Sequence, residues 1–336
     1  MKSNLFGTFL KAIVIDESRS DRPLILREVP DPQPGEHDLL VAVRAAALNR
    51  ADLRRAATHF ASSEQHGAAA IAGLELAGEV IAIGARVSGF VPGDRIMAMA
   101  GGAYAQRAVV DSRLAIPVPS SMNWQQAAAT PITFVTGYDA LASAAEFKPG
   151  ETLLVQGAST GVGIAVIQIA RSLGAKTIFG TSGVPDKLRR LADLGCDVPI
   201  DYRSESFVAV INEKTTKHGV DVVIDLVGAT TAQGNIDAAM VLGRIICVGR
   251  VGGLEATINL DEFARKRICM TGVTFRTRSL DERTQVVRQF IAEMVPKLAS
   301  GAIRPVIDST FPLAEAGAAQ DYMRSNKHFG KIILTL

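Results

Sequence analysis

The chain has 336 residues, 48% of them hydrophobic and 21% charged, with a formal net charge of +2. This composition supports a large buried core in about two domains and excludes a disordered chain. The balanced charge, with no Lys/Arg block, argues against a nucleic-acid or anionic-membrane surface, and no apolar run reaches transmembrane length. Cys196, Cys247 and Cys269 stand apart without C-x-x-C spacing, so they suit neither a disulfide framework nor a zinc site. A reducing, cytoplasmic setting is expected, and no signal-peptide layout opens the sequence.

From about Lys11 to Val118 the chain is rich in short β-like runs (KAIVI, DLLVAVRAA, LAGEVIAIG, DRIMAM) separated by Pro/Gly turns such as DPQPGEHD and VPGD. From about Gly137 to Phe275 strands alternate with helical stretches: TLLVQ, KTIFG, DVPI, VDVVIDLV, GRIICVG and RICMTGVTF. Such alternation predicts a doubly wound parallel sheet with right-handed crossovers. A helix (ERTQVVRQFIAEMVPKLASG) and a β-like end (HFGKIILTL) follow.

Thr152 to Gly174 is the most informative segment. Thr152–Gln156 reads as a buried parallel strand, and Gly157–Gly163 as a small-residue turn. Ile164, Ile167 and Leu173 continue as a helical stripe closed by Gly174. Ala158, Gly161 and Gly163 form A-x-x-G-x-G, a relative of the dinucleotide fingerprint. A strand that turns through Ser159, Thr160, Gly161, Val162 and Gly163 into a helix N-terminus brings backbone N–H groups and the positive helix end up to a phosphate.

The second strand indicates which dinucleotide is expected. Where NAD-binding folds place Asp or Glu for the ribose hydroxyl, this chain has Thr181 and Ser182 after KTIFG, with Lys187 in the first turn of the next helix behind Pro185. Hydroxyls and an ammonium suit a 2′-phosphate, which a carboxylate would repel, so NADPH is favoured over NADH. The alternative for Lys187 is an ordinary solvated helix lysine.

These motifs, together with EVPDPQPGEHDLLVAVRAAALNRAD, GLELAGEV, VPGDRI, GGAYAQ, AAATPITFVTGYDAL, IDYR, DVVIDLVG and NKHFGKIIL, resemble the zinc-independent medium-chain dehydrogenases/reductases of the quinone oxidoreductase (zeta-crystallin-like) group. The resemblance runs from about Lys11 to Leu336. It implies an α/β chain: a GroES-like β-rich catalytic domain (1–134 and 277–336) around a Rossmann NADP-binding domain (135–276), assembled as a homodimer. It also implies that Asn49 and Thr136 line the nicotinamide end and carry catalysis. Lys187, Ser182 and Tyr202 would face the adenosine phosphate. Val227, Val248, Gly249, Phe275 and Arg276 would run along the nicotinamide side, and Asn326 would return to the cofactor. Tyr202 and Phe275 could instead be core residues, and Asn49 could cap a turn.

Zinc-dependent relatives carry metal ligands where this chain has Asn49, Leu74 (before Glu75) and Ile132. Asn, Leu and Ile cannot rebuild such a site, so no metal is expected. Without one, the plausible electrophile is a quinone or enone, whose conjugation spreads the incoming charge. The proton source stays open between water and His59, because Phe60 stands where many relatives have Tyr. Enoyl-thioester reduction, with Arg50, Arg54 and Arg55 as phosphate contacts, is the runner-up. An NADPH-binding protein with little catalysis is a further alternative.

Overall fold

A computed structural model describes residues 9–16, 24–53 and 70–336. Seven strands lead: β1 (Phe9–Ile15), β2 (Leu24–Pro30), β3 (Asp38–Ala47), β4 (Glu75–Ile83), β5 (Arg95–Met99), β6 (Arg107–Asp111) and β7 (Ile116–Pro117). Helices α1 (Trp124–Ala128) and α2 (Pro131–Tyr138) follow. Next come β8 (Thr152–Gln156), α3 (Gly161–Ser172), β9 (Thr177–Ser182), α4 (Pro185–Ala192), β10 (Val198–Asp201), α5 (Phe207–Lys214), β11 (Val220–Asp225), α6 (Ala232–Ala238), β12 (Ala239–Cys247), α7 (Leu260–Arg265) and β13 (Cys269–Gly272). The chain closes with α8 (Leu280–Ala299), β14 (Ile307–Pro312), α9 (Ala316–Arg324) and β15 (Lys331–Thr335).

Contacts divide these elements into two compact units: residues 1–132, 278–301 and 305–336 form one, and 133–277 with 302–304 form the other. The small excursion at 302–304 has a cause that sequence does not show. The Gln168 side chain in α3 donates to the Arg304 carbonyl and accepts from the Arg304 amide, both at 2.9 Å.

In the first unit β1 and β2 pair as a hairpin-like ribbon, and seven strands form a sheet of order β14-β15-β3-β4-β5-β7 with β6 on β3. Ile13, Leu39, Val41, Leu76, Val80, Ile96 and Tyr104 pack its core. The C-terminal strand β15 pairs antiparallel with the end of β3, Ile333 opposite Ala47. That pairing sets Lys331 beside the Leu48–Asn49 segment.

In the second unit six strands run parallel in the order β10-β9-β8-β11-β12-β13. Counted from β8 this is 3-2-1-4-5-6, the dinucleotide-binding order, whose direction reverses between β8 and β11. Burial on both faces explains why TLLVQ and VDVVID read as nearly continuous apolar runs. Leu154, Phe179, Ile200, Val223 and Ile245 fill this core. β9 extends past KTIFG through Thr181 and Ser182, because β10 pairs alongside it as far as Asp201 opposite Ser182.

Candidate functional site

The turn after β8 leads directly into the N-terminus of α3. Thr160 caps α3, its side-chain oxygen accepting from the Gly163 amide at 3.1 Å. The Ala158 amide is spent on the Thr181 carbonyl and the Gly157 amide on the Thr181 hydroxyl. The amides of Gly161 and Val162, the first two helical residues, are left to whatever lies beyond the helix end. A Cβ on Gly163 would lie 2.6 Å from the Ala158 carbonyl and 2.7 Å from that of Gly157, so only glycine lets the helix start here. Gly174, at φ +86°, ends the helix as its sequence position predicts.

At the end of β9, Ser182 is nearly buried, its hydroxyl 3.2 Å from that of Ser159. Thr181 has an inward role: its hydroxyl donates to Gln156 Oε1 at 2.7 Å while accepting from Gly157. Tyr202 is 56% exposed, so core packing does not account for it. Its hydroxyl and the Arg203 Nε crowd the backbone of Gly183, at 2.7 and 2.8 Å from where a Cβ would stand. Arg203 escaped sequence reasoning, though it adjoins Tyr202 in IDYR. Lys187 lies half-buried in the first turn of α4, where Pro185 occupies the first helical position.

A buried polar chain crosses the sheet beneath this turn. Gln156 Nε2 donates to Asn235 Oδ1, and Asn235 Nδ2 to Asp225 Oδ2, each at 2.9 Å. Asp225 also accepts from the amides of Val227 (2.7 Å) and Gly228 (3.0 Å) and from Thr231. Burial pushes its carboxyl above the usual range, against these hydrogen bonds. The Val227 amide is therefore taken, and its carbonyl accepts from Gly252. The amides of Val248 and Gly249 both go to the Asp225 carbonyl. These loops thus offer a ligand carbonyl oxygens and side chains, not the N–H groups of Val227, Val248 or Gly249. Phe275 is buried and Arg276 exposed just beyond β13; Thr136 is half-buried in α2.

The first unit holds a second cluster, around Asn49. Lys331, 5% exposed, donates to the Leu48 carbonyl (2.7 Å), to Asn49 Oδ1 (2.8 Å) and, closest of all, to Glu75 Oε1. Asn49 Nδ2 donates to Glu75 Oε1 (2.9 Å) and to the Ala47 carbonyl (3.3 Å), and Glu75 Oε2 accepts from the Ile132 amide (2.8 Å). The Lys331 ammonium thus sits between Asn49 and Glu75, the residue after Leu74, and Glu75 in turn reaches the Ile132 amide. Asn49 also does what a turn residue does: its amide donates to Asp52 Oδ2 (2.7 Å) at the start of a 3₁₀ turn, Arg50–Leu53.

Asp52 Oδ2 also accepts from the Tyr104 hydroxyl at 2.8 Å. Although part of the residue reaches the surface, its carboxyl turns inward, and desolvation raises its pKa to about 6 against those two hydrogen bonds and the Lys331 charge. Tyr104 is raised further above its usual value by its own burial and by Asp52. Asn326, at φ +57°, is exposed and accepts from the half-buried Arg50 guanidinium. Glu75, Lys331, Asp52 and Tyr104 were not singled out in the sequence. The available signal was a glutamate and a lysine each opening a mostly apolar strand. His59, Phe60, Arg54 and Arg55 lie outside the described residues.

Two family models match the chain: an alcohol dehydrogenase GroES-like domain over residues 35–120 and a zinc-binding dehydrogenase over 194–334. The quinone oxidoreductase of Lama guanicoe is 32% identical over 97% of this chain and 98% of its own length. The chain belongs to the quinone oxidoreductase family of medium-chain dehydrogenases/reductases. Among solved quinone oxidoreductases, that of Pseudomonas syringae pv. tomato superposes with a TM-score of 0.86 at 27% identity, covering 97% of this chain and 100% of that one. A mycobacterial structure complexed with NADPH reaches the same TM-score at 26% identity and the same coverage.

The zinc named by one family model does not fit this quinone oxidoreductase family member. Asn49 and Leu74 offer no thiolate or imidazole, Ile132 contributes a backbone N–H donor, and Glu75 is held by Lys331. Among the described residues no three His, Cys, Asp or Glu side chains group as metal ligands, and no helix is long and apolar enough to cross a membrane.

Proposed function

We propose that the protein is an NADPH-dependent, zinc-independent oxidoreductase that transfers hydride to a quinone or an α,β-unsaturated carbonyl. The observation that carries this reading is the buried Lys331 ammonium bonded to Asn49 and to Glu75, the latter beside Leu74 and held by the Ile132 amide. A fixed internal cation, spent on three protein acceptors, is not itself available to polarise an isolated ketone. A conjugated acceptor needs less help, because its own π system spreads the charge.

NADPH, when bound, would supply the hydride. Gly161 and Val162 amides, with Ala158, Ser159, Thr160 and Gly163 shaping the turn, would receive its pyrophosphate. Ser182, Lys187 and Tyr202 would take the 2′-phosphate, an assignment supported by the absence of an acidic side chain at the end of β9. Asn49, Thr136, Phe275, Arg276 and Asn326 would border the nicotinamide. Domain limits at 134/135 and 276/277 go with this reading. So does a homodimer, for which β13 is an end strand of its sheet among the described residues. A cytoplasmic location suits the exposed free thiol of Cys269.

NADPH oxidation by the purified protein against a panel of quinones, enones and enoyl thioesters tests the proposal. Turnover is expected with quinones or enones. Turnover confined to thioesters, or none with any acceptor, contradicts it.

A further inference from the structure

We propose that Lys331 and Glu75 are positioning residues that lock the Asn49 side-chain amide with its oxygen, and no N–H, left for a ligand. The lock follows from donor and acceptor inventory. Lys331 brings three protons and has three acceptors: the Leu48 carbonyl, Asn49 Oδ1 and Glu75 Oε1. Both Asn49 Nδ2 protons point inward, one to Glu75 Oε1 and one to the Ala47 carbonyl. Glu75 is held from its other side by the Ile132 amide. Flipping the Asn49 amide would set NH₂ against the ammonium and oxygen against the carboxylate, two repulsive contacts replacing two attractive ones. The flip is closed while the ion pair stands.

What remains is one lone pair on Oδ1. Asn49 therefore accepts a hydrogen bond from a ligand N–H or O–H and does not donate to a substrate carbonyl. This rests on the proposed function in one respect: the ligand facing Asn49 is then the nicotinamide–ribose half of the cofactor, which carries both an amide N–H and hydroxyl donors. The ion pair is thereby given a task other than stability. Buried pairs of this kind contribute little net stability, whereas losing one partner is costly.

The double substitution Lys331→Met with Glu75→Gln separates the two roles. Lys331→Met alone strands a buried carboxylate and should lower the melting temperature. In the double variant the charge is gone. The Ile132 N–H fixes the oxygen of the amide introduced at position 75, so the NH₂ of that amide faces Asn49 and favours the reversed orientation there. The melting temperature is expected to recover most of its loss, while kcat/KM with the best quinone stays about tenfold or more below native, the worth of one oriented hydrogen bond. Return of both stability and turnover to native overturns the proposal, because a purely structural pair predicts that result.

A second readout does not need activity. With selective ¹⁵N-asparagine labelling, the Asn49 side-chain NH₂, assigned by its loss in Asn49→Ala, should exchange slowly in the native protein and faster in the double variant. Fast exchange in the native protein overturns the lock. Slow native exchange in a protein that fails to oxidise NADPH with any acceptor of the panel leaves the lock standing and removes the functional reading instead.

Discussion

Asp52 carries a cost that Asp52→Asn should remove. Its folded pKa of about 6 lies above the ordinary 3.8, so the folded state holds a proton that the unfolded chain releases. Stability from this group is present below about pH 4 and is lost as pH rises through 6. Both hydrogen bonds end on one oxygen, which an asparagine carbonyl can supply. Relative to native protein, Asp52→Asn should therefore gain about 2 kcal/mol between pH 4.5 and 7.5, the worth of the roughly one and a half pKa units between 4.5 and 6. Denaturant unfolding at both pH values checks it; a difference that does not change with pH means the carboxyl titrates normally. At the other cluster, Ser182→Asp should repel the 2′-phosphate and offer an acceptor to a ribose hydroxyl. Dissociation constants should move from at least about tenfold in favour of NADPH towards NADH, the size of one charge-assisted contact. Unchanged preference would separate Ser182 from cofactor choice. Residues of this kind were unevenly legible. Asn49 and Ser182 stood out by what they lack, a thiol and an acid. Lys331, Glu75 and Asp52 did not, because the Lys331–Glu75 contact joins residues 256 apart, brought together by the pairing of β15 with β3 and of β3 with β4.

At the scale of elements, β8, its turn and α3 were readable because each signal there is local: an apolar run, small residues, a threonine cap and a closing glycine. The depth of the glycine requirement was not. Even Gly163→Ala places a carbon against two backbone carbonyls that cannot both retreat. That variant is expected to lose NADPH binding, by fluorescence titration, before it loses secondary structure by circular dichroism. Normal binding would show that the turn tolerates a side chain. Helix α8 tests a local signal of another sort. Ser279 and Glu282 form a reciprocal capping box that sequence reasoning passed over. Ser279→Ala should cost about 1 kcal/mol of stability without touching cofactor affinity. The extension of β9 through Ser182 was hidden from local reading, since it depends on β10 lying alongside.

Over the whole molecule, a doubly wound sheet and a β-rich unit were both legible from the alternation of runs along the chain. The return of residues 302–304 to the sheet unit was not, because two hydrogen bonds from Gln168 decide it. What the sequence implied about metal and what the fold displays meet at one place, the Lys331 ammonium among Asn49, Glu75 and the Ile132 amide. The most direct test is NADPH oxidation with the best quinone, measured on protein after exhaustive chelation, with elemental analysis of the same sample. The account predicts undiminished turnover with zinc far below one atom per chain, and no gain when zinc is added back. Turnover lost on chelation and restored by about one zinc per chain would contradict it.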